Sequence, residues 1–454
     1  MSKCFLRFLL ALGVAFPLGA MAQDTLTLEK AIRVALENNY AIKIVQGRKE
    51  IAANDVTRGN AGFLPLVDAS VARNYDTRNV IRQENFNPAV TPITNVRGIN
   101  NNNSSAGVNL AWTIFDGLAM FAAYDQLREI EAAGQENAEI TIENTVAQVG
   151  NAYYDLLRQQ ERLKLLKEAL AISKARSDLA RARNEVGAGS KVDFLSSQVD
   201  YNADSSALIS QQQTVANTVI NLNRLLTRDI RTRFVTNDTI VPDSTLSLET
   251  LRQSVLQQNP NLLLAQRNRN VAYLETRRLK GGRFPRIDVL SGYNYAELNN
   301  GPGLNFGLRT NKNAVFNYGL RATVNVFGGF NQNRLIQNAR INEQINDYQI
   351  EDVRIQLDAD LERAYLNYRN SLALLGLEKQ NYTIAQQNVV IALERYKVGT
   401  STALELREVQ RNNVAAVNRL IEASFNAKLA EIELLRLSSS ILEDLNPHPQ
   451  PQAK

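Results

Sequence analysis

The chain has 454 residues with 51 Lys and Arg against 46 Asp and Glu, a formal net charge of +5, and so small an excess gives no electrostatic case for nucleic acid as a partner. Its one cysteine, Cys4, lies in an N-terminal signal and its one histidine, His448, in a Pro-rich tail, which all but excludes disulfides, Cys- or His-ligated metals and histidine-dependent catalysis; no cofactor is expected. Length alone predicts about three domains, yet 23 Gly and 11 Pro are spread so thinly that very long helices are the better reading.

At the N-terminus, Lys3 and Arg7 precede the apolar run Phe8 to Phe16, and Ala20-Met21-Ala22 forms a small-x-small site before Gln23, so residues 1–22 read as an export signal. The run is shorter than the roughly 20 residues of a spanning helix, and no later stretch qualifies. Gln23, where a lipid anchor would need Cys, leaves a β-barrel as the way into a membrane.

The remainder is written twice. Leu26-Thr27-Leu28-Glu29 matches Leu246-Ser247-Leu248-Glu249, and Gly62-Phe63-Leu64-Pro65 matches Gly282-Arg283-Phe284-Pro285, both at an offset of 220. Phe115-Asp116-Gly117 matches Phe327-Gly328-Gly329, Ala152-Tyr153 matches Ala364-Tyr365, and Val186-Gly187 matches Val398-Gly399, all at 212. The first copy therefore carries extra residues between about 70 and 105, expected in a loop.

The first repeat, 23–229, reads as a helix (26–60), strands at about 64–75 and 105–115, a long helix (118–186) and a helix (190–228). A linker, 230–245, leads to the second repeat, 246–442, with strands at about 286–295 and 316–327, a long helix (330–398) and a helix (402–442); the tail is 443–454. Along the strands Val67, Ala69, Val71 and Tyr75, then Val108, Leu110 and Trp112, alternate with small or polar residues, as they do in Tyr293, Tyr295, Phe316 and Tyr318 of the second copy. This suits a membrane-crossing barrel with an aromatic girdle, and equally a soluble sheet with one wet face. Asn100 to Asn103 and Gly301-Pro302-Gly303 read as polar loops.

Each long helix lacks proline and would span roughly 100 Å. Val149, Tyr153, Leu156, Leu163 and Leu170, and in the second copy Leu361, Tyr365, Tyr368, Leu372, Leu375 and Tyr382, follow coiled-coil spacing. The fold class is thus mixed and mainly α: a long antiparallel coiled-coil α-barrel continued by a β-barrel. Four strands cannot close a barrel, since the smallest have about eight. Three copies would give about twelve strands around an aqueous bore, and two a solid barrel.

The doubled strand pair between long helices, with the turns Val186-Gly187-Ala188-Gly189-Ser190 and Tyr396-Lys397-Val398-Gly399-Thr400-Ser401, resembles the TolC-like outer-membrane efflux proteins over about Leu26 to Leu442. The resemblance implies a homotrimer in outer-membrane lipid, docking with a periplasmic adaptor and an inner-membrane pump to export small molecules or proteins, with both turns at the periplasmic tip. It also implies that Glu405 and Glu408 ring a constricted entrance and that Tyr396 and Asp193 help to hold it closed. Where the family's lock has an arginine, this chain has Ser401.

Close carboxylates repel one another and concentrate cations. Thr402-x-x-Glu405 and Ser190-x-x-Asp193 also fit capping boxes, which Glu408 does not. Gly187, Gly189 and Gly399 read as turn formers needing positive φ. A trimeric adhesin with a coiled-coil stalk is the competing function, disfavoured because helices flank both ends of each strand pair. A carboxylate hydrolase lacks an evident pocket.

Overall fold

The computed structural model describes residues 25–83, 94–299, 301 and 309–445. The export signal, most of the Pro-rich tail and most of the Gly301-Pro302-Gly303 loop lie outside the described residues. In chain order come α1 (Leu28–Asn38), α2 (Tyr40–Asp55), β1 (Leu66–Gln83), β2 (Thr94–Phe115), α3 (Ala119–Glu185) and α4 (Lys191–Leu225). The second half repeats them as α5 (Leu248–Gln258), α6 (Pro260–Gly281), β3 (Arg286–Asn299), β4 (Thr310–Thr323), α7 (Asn331–Lys397) and α8 (Ala403–Leu437), with a short α9 (Ile441–Leu445).

The duplication extends to backbone detail. α3 and α7 have 67 residues each, and α4 and α8 have 35. The left-handed residues Leu118 and Thr227 of the first copy recur as Phe330 and Ser439 of the second. The helix expected over 26–60 is interrupted at Asn39, which ends α1 and caps α2. Its carboxamide oxygen accepts from the Ala41 amide at 2.8 Å while its nitrogen donates to the Leu225 carbonyl at 2.9 Å. Asn259 does the same in the second copy, donating to the Leu437 carbonyl at 2.9 Å. An asparagine side chain that serves two helix ends replaces the backbone bonds that continuity would have made.

The strands form one antiparallel sheet in the order β1-β2-β3-β4, leaving β1 and β4 as edges. Register separates two faces. One carries Val67, Val71, Val108, Trp112, Tyr293, Phe316, Tyr318 and Leu320, and the other Asp68, Ser70, Asn109, Asp288, Asn294 and Arg321. The apolar side chains stand out from the sheet uncovered, Tyr318 at 81% and Val71 at 86% exposure.

The strands run further toward the hairpin ends than expected, with β1 reaching Gln83, β2 starting at Thr94, β3 reaching Asn299 and β4 starting at Thr310. β1 begins later, at Leu66, and β4 ends earlier, at Thr323. Asn100 to Asn103 lie within β2, not in a loop, because their side chains bond across the sheet: Thr77 donates to Asn100 at 2.8 Å and Asn101 to Asp76 at 3.0 Å. The extra residues of the first copy lengthen this hairpin, to strands of 18 and 22 residues against 14 and 14. β4 stops at Thr323, paired with Arg286, because β3 begins there and offers no further partner.

The coil core is densest near mid-length of α3 and α7. Around Tyr153 gather Leu26, Ile32, Val149, Leu156, Leu222 and Leu226, and around Tyr368 gather Val255, Leu361, Leu434 and Leu437. The linker straps this level. The Leu26 amide donates to the Val235 carbonyl at 2.9 Å, and the Tyr368 hydroxyl to the Asp243 carbonyl at 2.7 Å. The Tyr153 hydroxyl lies against the Asp238 carboxylate and 3.0 Å from the Leu26 carbonyl. Glu431, almost fully buried, accepts from Lys428 at 2.6 Å and from the Asp243 amide at 2.8 Å, bonds that offset only in part the burial that pushes its carboxyl pKa up.

Candidate functional site: the helical tip

Both long helices end alike. After α3 the Ala188 amide donates to the Arg183 carbonyl at 2.8 Å, and after α7 the Thr400 amide to the Arg395 carbonyl at 2.9 Å. These bonds require a left-handed residue at the turn, supplied by Gly187 at φ +75° and Gly399 at φ +80°. Gly189 departs from expectation: its φ is not positive, and it is glycine for space, since a Cβ would lie 2.8 Å from that of Arg183.

Thr402 caps α8, its hydroxyl accepting from the Glu405 amide at 3.2 Å. Ser190 caps α4 by accepting from the Val192 amide at 3.1 Å, so Asp193 sits in the first turn outside a full capping box. The Glu405 carboxylate is held by Arg395 at 3.0 Å and by the Ser401 hydroxyl at 2.8 Å. Ser401 therefore contributes to the turn as a donor, and the cation comes from the last turn of α7. Glu408 points into solvent at 61% side-chain exposure, with Arg411 3.9 Å away.

Tyr396 is buried among Ala392, Leu406 and Ala403, and its carbonyl accepts from Arg183 at 3.3 Å, whose guanidinium also covers its ring at 5.2 Å. Asp193 and Tyr396 line one cavity of about 190 Å³ together with Arg176, Asp200 and Arg407. The tip thus brings Asp193 and Tyr396 together, while Glu405 and Glu408 lie outside this cavity on the exposed start of α8.

Sequence reasoning missed the most buried charges of the tip. Asp200 of α4 is held by Arg176 of α3 and by Arg407 of α8 at 2.5 Å, and Ser173 donates to Asp204 one turn away. This cluster opens on a second cavity of about 530 Å³, where Arg176 Nε, Gln410 Nε2 and Asn413 Oδ1 are buried without hydrogen-bond partners among the described residues. One signal was available: Arg176 and Asp200 are nearly equidistant from the Gly187-Ala188 turn, so an antiparallel hairpin sets them opposite each other.

A model of the outer membrane efflux protein family matches residues 31–228 and 251–439. The chain belongs to that family. This outer membrane efflux protein is 21% identical over 444 residues to the outer membrane protein TolC of Vibrio cholerae, covering 96% of this chain and 97% of the relative. It is 23% identical to the protein CyaE of Bordetella pertussis, covering 92% and 85% of the two chains. To the proteases secretion protein PrtF of Dickeya chrysanthemi it is 18% identical, covering 95% and 92%.

Among solved structures, CusC superposes with a TM-score of 0.72 at 16% identity over 90% of this chain and 91% of that one. The outer membrane protein VceC from Vibrio cholerae gives 0.68 at 15%, over 90% and 95%. The fold is thus that of the family's channels, a helical barrel continued by a β-barrel, and the protein resides in the outer membrane with a large periplasmic part. The likeness favours an export channel over an adhesin stalk.

Proposed function

We propose that the protein is a passive homotrimeric conduit, exporting small molecules or proteins from an inner-membrane pump, through a periplasmic adaptor, to the cell exterior. The observation that carries this reading is the two-faced open sheet: a face that is mainly apolar from Val67 to Val71 and across to Leu320, a polar face, and, among the described residues, two unpaired edges on one chain. An open edge exposes a row of unpaired backbone groups, untenable in hydrocarbon, so β1 must pair with β4 of another copy. Three copies close about twelve strands around water, with the polar face inward. Relatives concerned with efflux and with protease secretion leave both cargo classes within reach.

At the tip, Glu405 and Glu408 from three copies would ring the entrance and favour cations. Asp193 and Tyr396, beside the Arg176–Asp200–Arg407 cluster, would hold it closed by tying the first helical hairpin to the second. Light scattering on detergent-solubilised protein, with planar-bilayer recording of the same sample, tests the proposal. The expected result is a mass of three chains with stepwise conductance. A folded single-chain particle that does not conduct would refute it.

A further inference from the structure

We propose that Arg277 and Lys280 form a docking site for the phosphate of anionic phospholipids in the periplasmic leaflet of the outer membrane. This rests on the reading above that the apolar sheet face meets lipid. Both residues lie in the last turns of α6, exposed, and among the described residues neither forms an ion pair, whereas Arg278 between them is neutralised by Glu275 at 2.7 Å.

Their direction follows from their neighbours. Tyr273, one and two turns earlier on the same face of α6, lines a groove with Asp125 and Arg128 of α3. Phe121, one turn before Asp125, stacks edge-on against Phe63 at 4.9 Å, and the Phe63 carbonyl accepts from the Trp112 indole at 2.8 Å. Trp112 belongs to the apolar face of the sheet, so this side of α6 is continuous with the lipid-facing side.

Their height follows from Gly281, which packs against Ala119 so closely that a Cβ would lie 2.8 Å from the alanine's own. Ala119 opens α3 just beyond the end of β2. Helical rise then puts Lys280 and Arg277 within about 6 Å of that level, inside the roughly 5–8 Å headgroup layer of a leaflet. The exposed Phe284 sits at the same junction, as an aromatic belt does. The corresponding residues of the first copy, Thr57 and Asn60, are uncharged, so the site occurs once per chain.

Two cations at a headgroup favour phosphatidylglycerol over phosphatidylethanolamine, whose ammonium offsets its phosphate. The test is native mass spectrometry of the delipidated full-length assembly with both lipids at equal concentration. The wild-type chain should retain phosphatidylglycerol preferentially, and the R277Q/K280Q variant should lose about thirtyfold of that preference. K164Q/K167Q, which removes exposed cations far along α3, should keep it. Equal retention of both lipids, unchanged preference in R277Q/K280Q, or displacement by inorganic phosphate at matched concentration would each overturn the site. Lost preference for lipid in wild-type protein that still conducts sinks this inference alone, whereas absence of trimer and conductance sinks the reading beneath it.

Discussion

Asp200 of α4 and Arg407 of α8 meet at 2.5 Å and join the two helical hairpins of the chain close to their tip. The same carboxylate is held by Arg176 of α3, whose side chain is only 5% exposed. One acid thus ties three helices, and an opening that separates the hairpins must break its bond to Arg407. Removing the acid leaves a buried cation, which costs about 3–5 kcal/mol where the pair is fully desolvated. The D200N variant should therefore open more readily and conduct at least severalfold more in planar bilayers while remaining assembled. Unchanged conductance in an intact assembly would show that the tie does not hold the entrance.

The proposed ring of acids makes a separate prediction. Glu405 is already neutralised in part by Arg395 at 3.0 Å, while Glu408 is more exposed and has only the looser contact with Arg411 at 3.9 Å. E408Q should lower cation selectivity and block by divalent ions more than E405Q does. R395Q should raise both by releasing the Glu405 charge, with a stability change below about 1 kcal/mol because the pair is exposed. Reversal potentials in a salt gradient read the ranking; equal effects of the two glutamate variants would contradict it.

The sheet faces and both glycine turns were legible in the sequence because their signals are local: alternation for the strands, a left-handed requirement for Gly187 and Gly399. What was not legible depends on a partner far along the chain. Asn39 breaks a helix because the Leu225 carbonyl awaits its side chain, and Asn100 continues a strand because Thr77 stands opposite. The Asp200 cluster combines α3, α4 and α8, and no spacing within one helix announces it. That Ser401 stands where the resemblance implies an arginine was visible, but the pairing of Arg395 with Glu405 required the geometry of the turn.

Glu143 of α3 provides a pH test. Burial first of all, with Glu139 adding repulsion and the Ser439 hydroxyl and Arg436 offsetting in part, pushes its carboxyl up to about 7. A raised carboxyl binds its proton more tightly in the folded chain, so its contribution to stability is full below the unfolded value near 4.5 and is lost as pH rises through about 7. E143Q should therefore raise Tm relative to wild type at pH 8, by no more than about 3 kcal/mol of stability, and the gain should vanish near pH 4. A gain of equal size at both pH values would assign the effect to packing rather than to protonation.

The last prediction separates the faces of β4. Tyr318 projects from the apolar face at 81% exposure, and its neighbour Asn317 from the polar face beside Gly292. If the first face meets hydrocarbon and the second lines water, arginine at the two positions must have unlike consequences despite adjacency. Y318R should cost about 2–4 kcal/mol near the membrane midplane and reduce recovery of the assembled protein from membranes. N317R should be tolerated for assembly and lower conductance by placing a cation in the bore. Denaturant unfolding in lipid, paired with conductance, reads both effects; a greater loss of stability for N317R would mean that the faces are assigned the wrong way round.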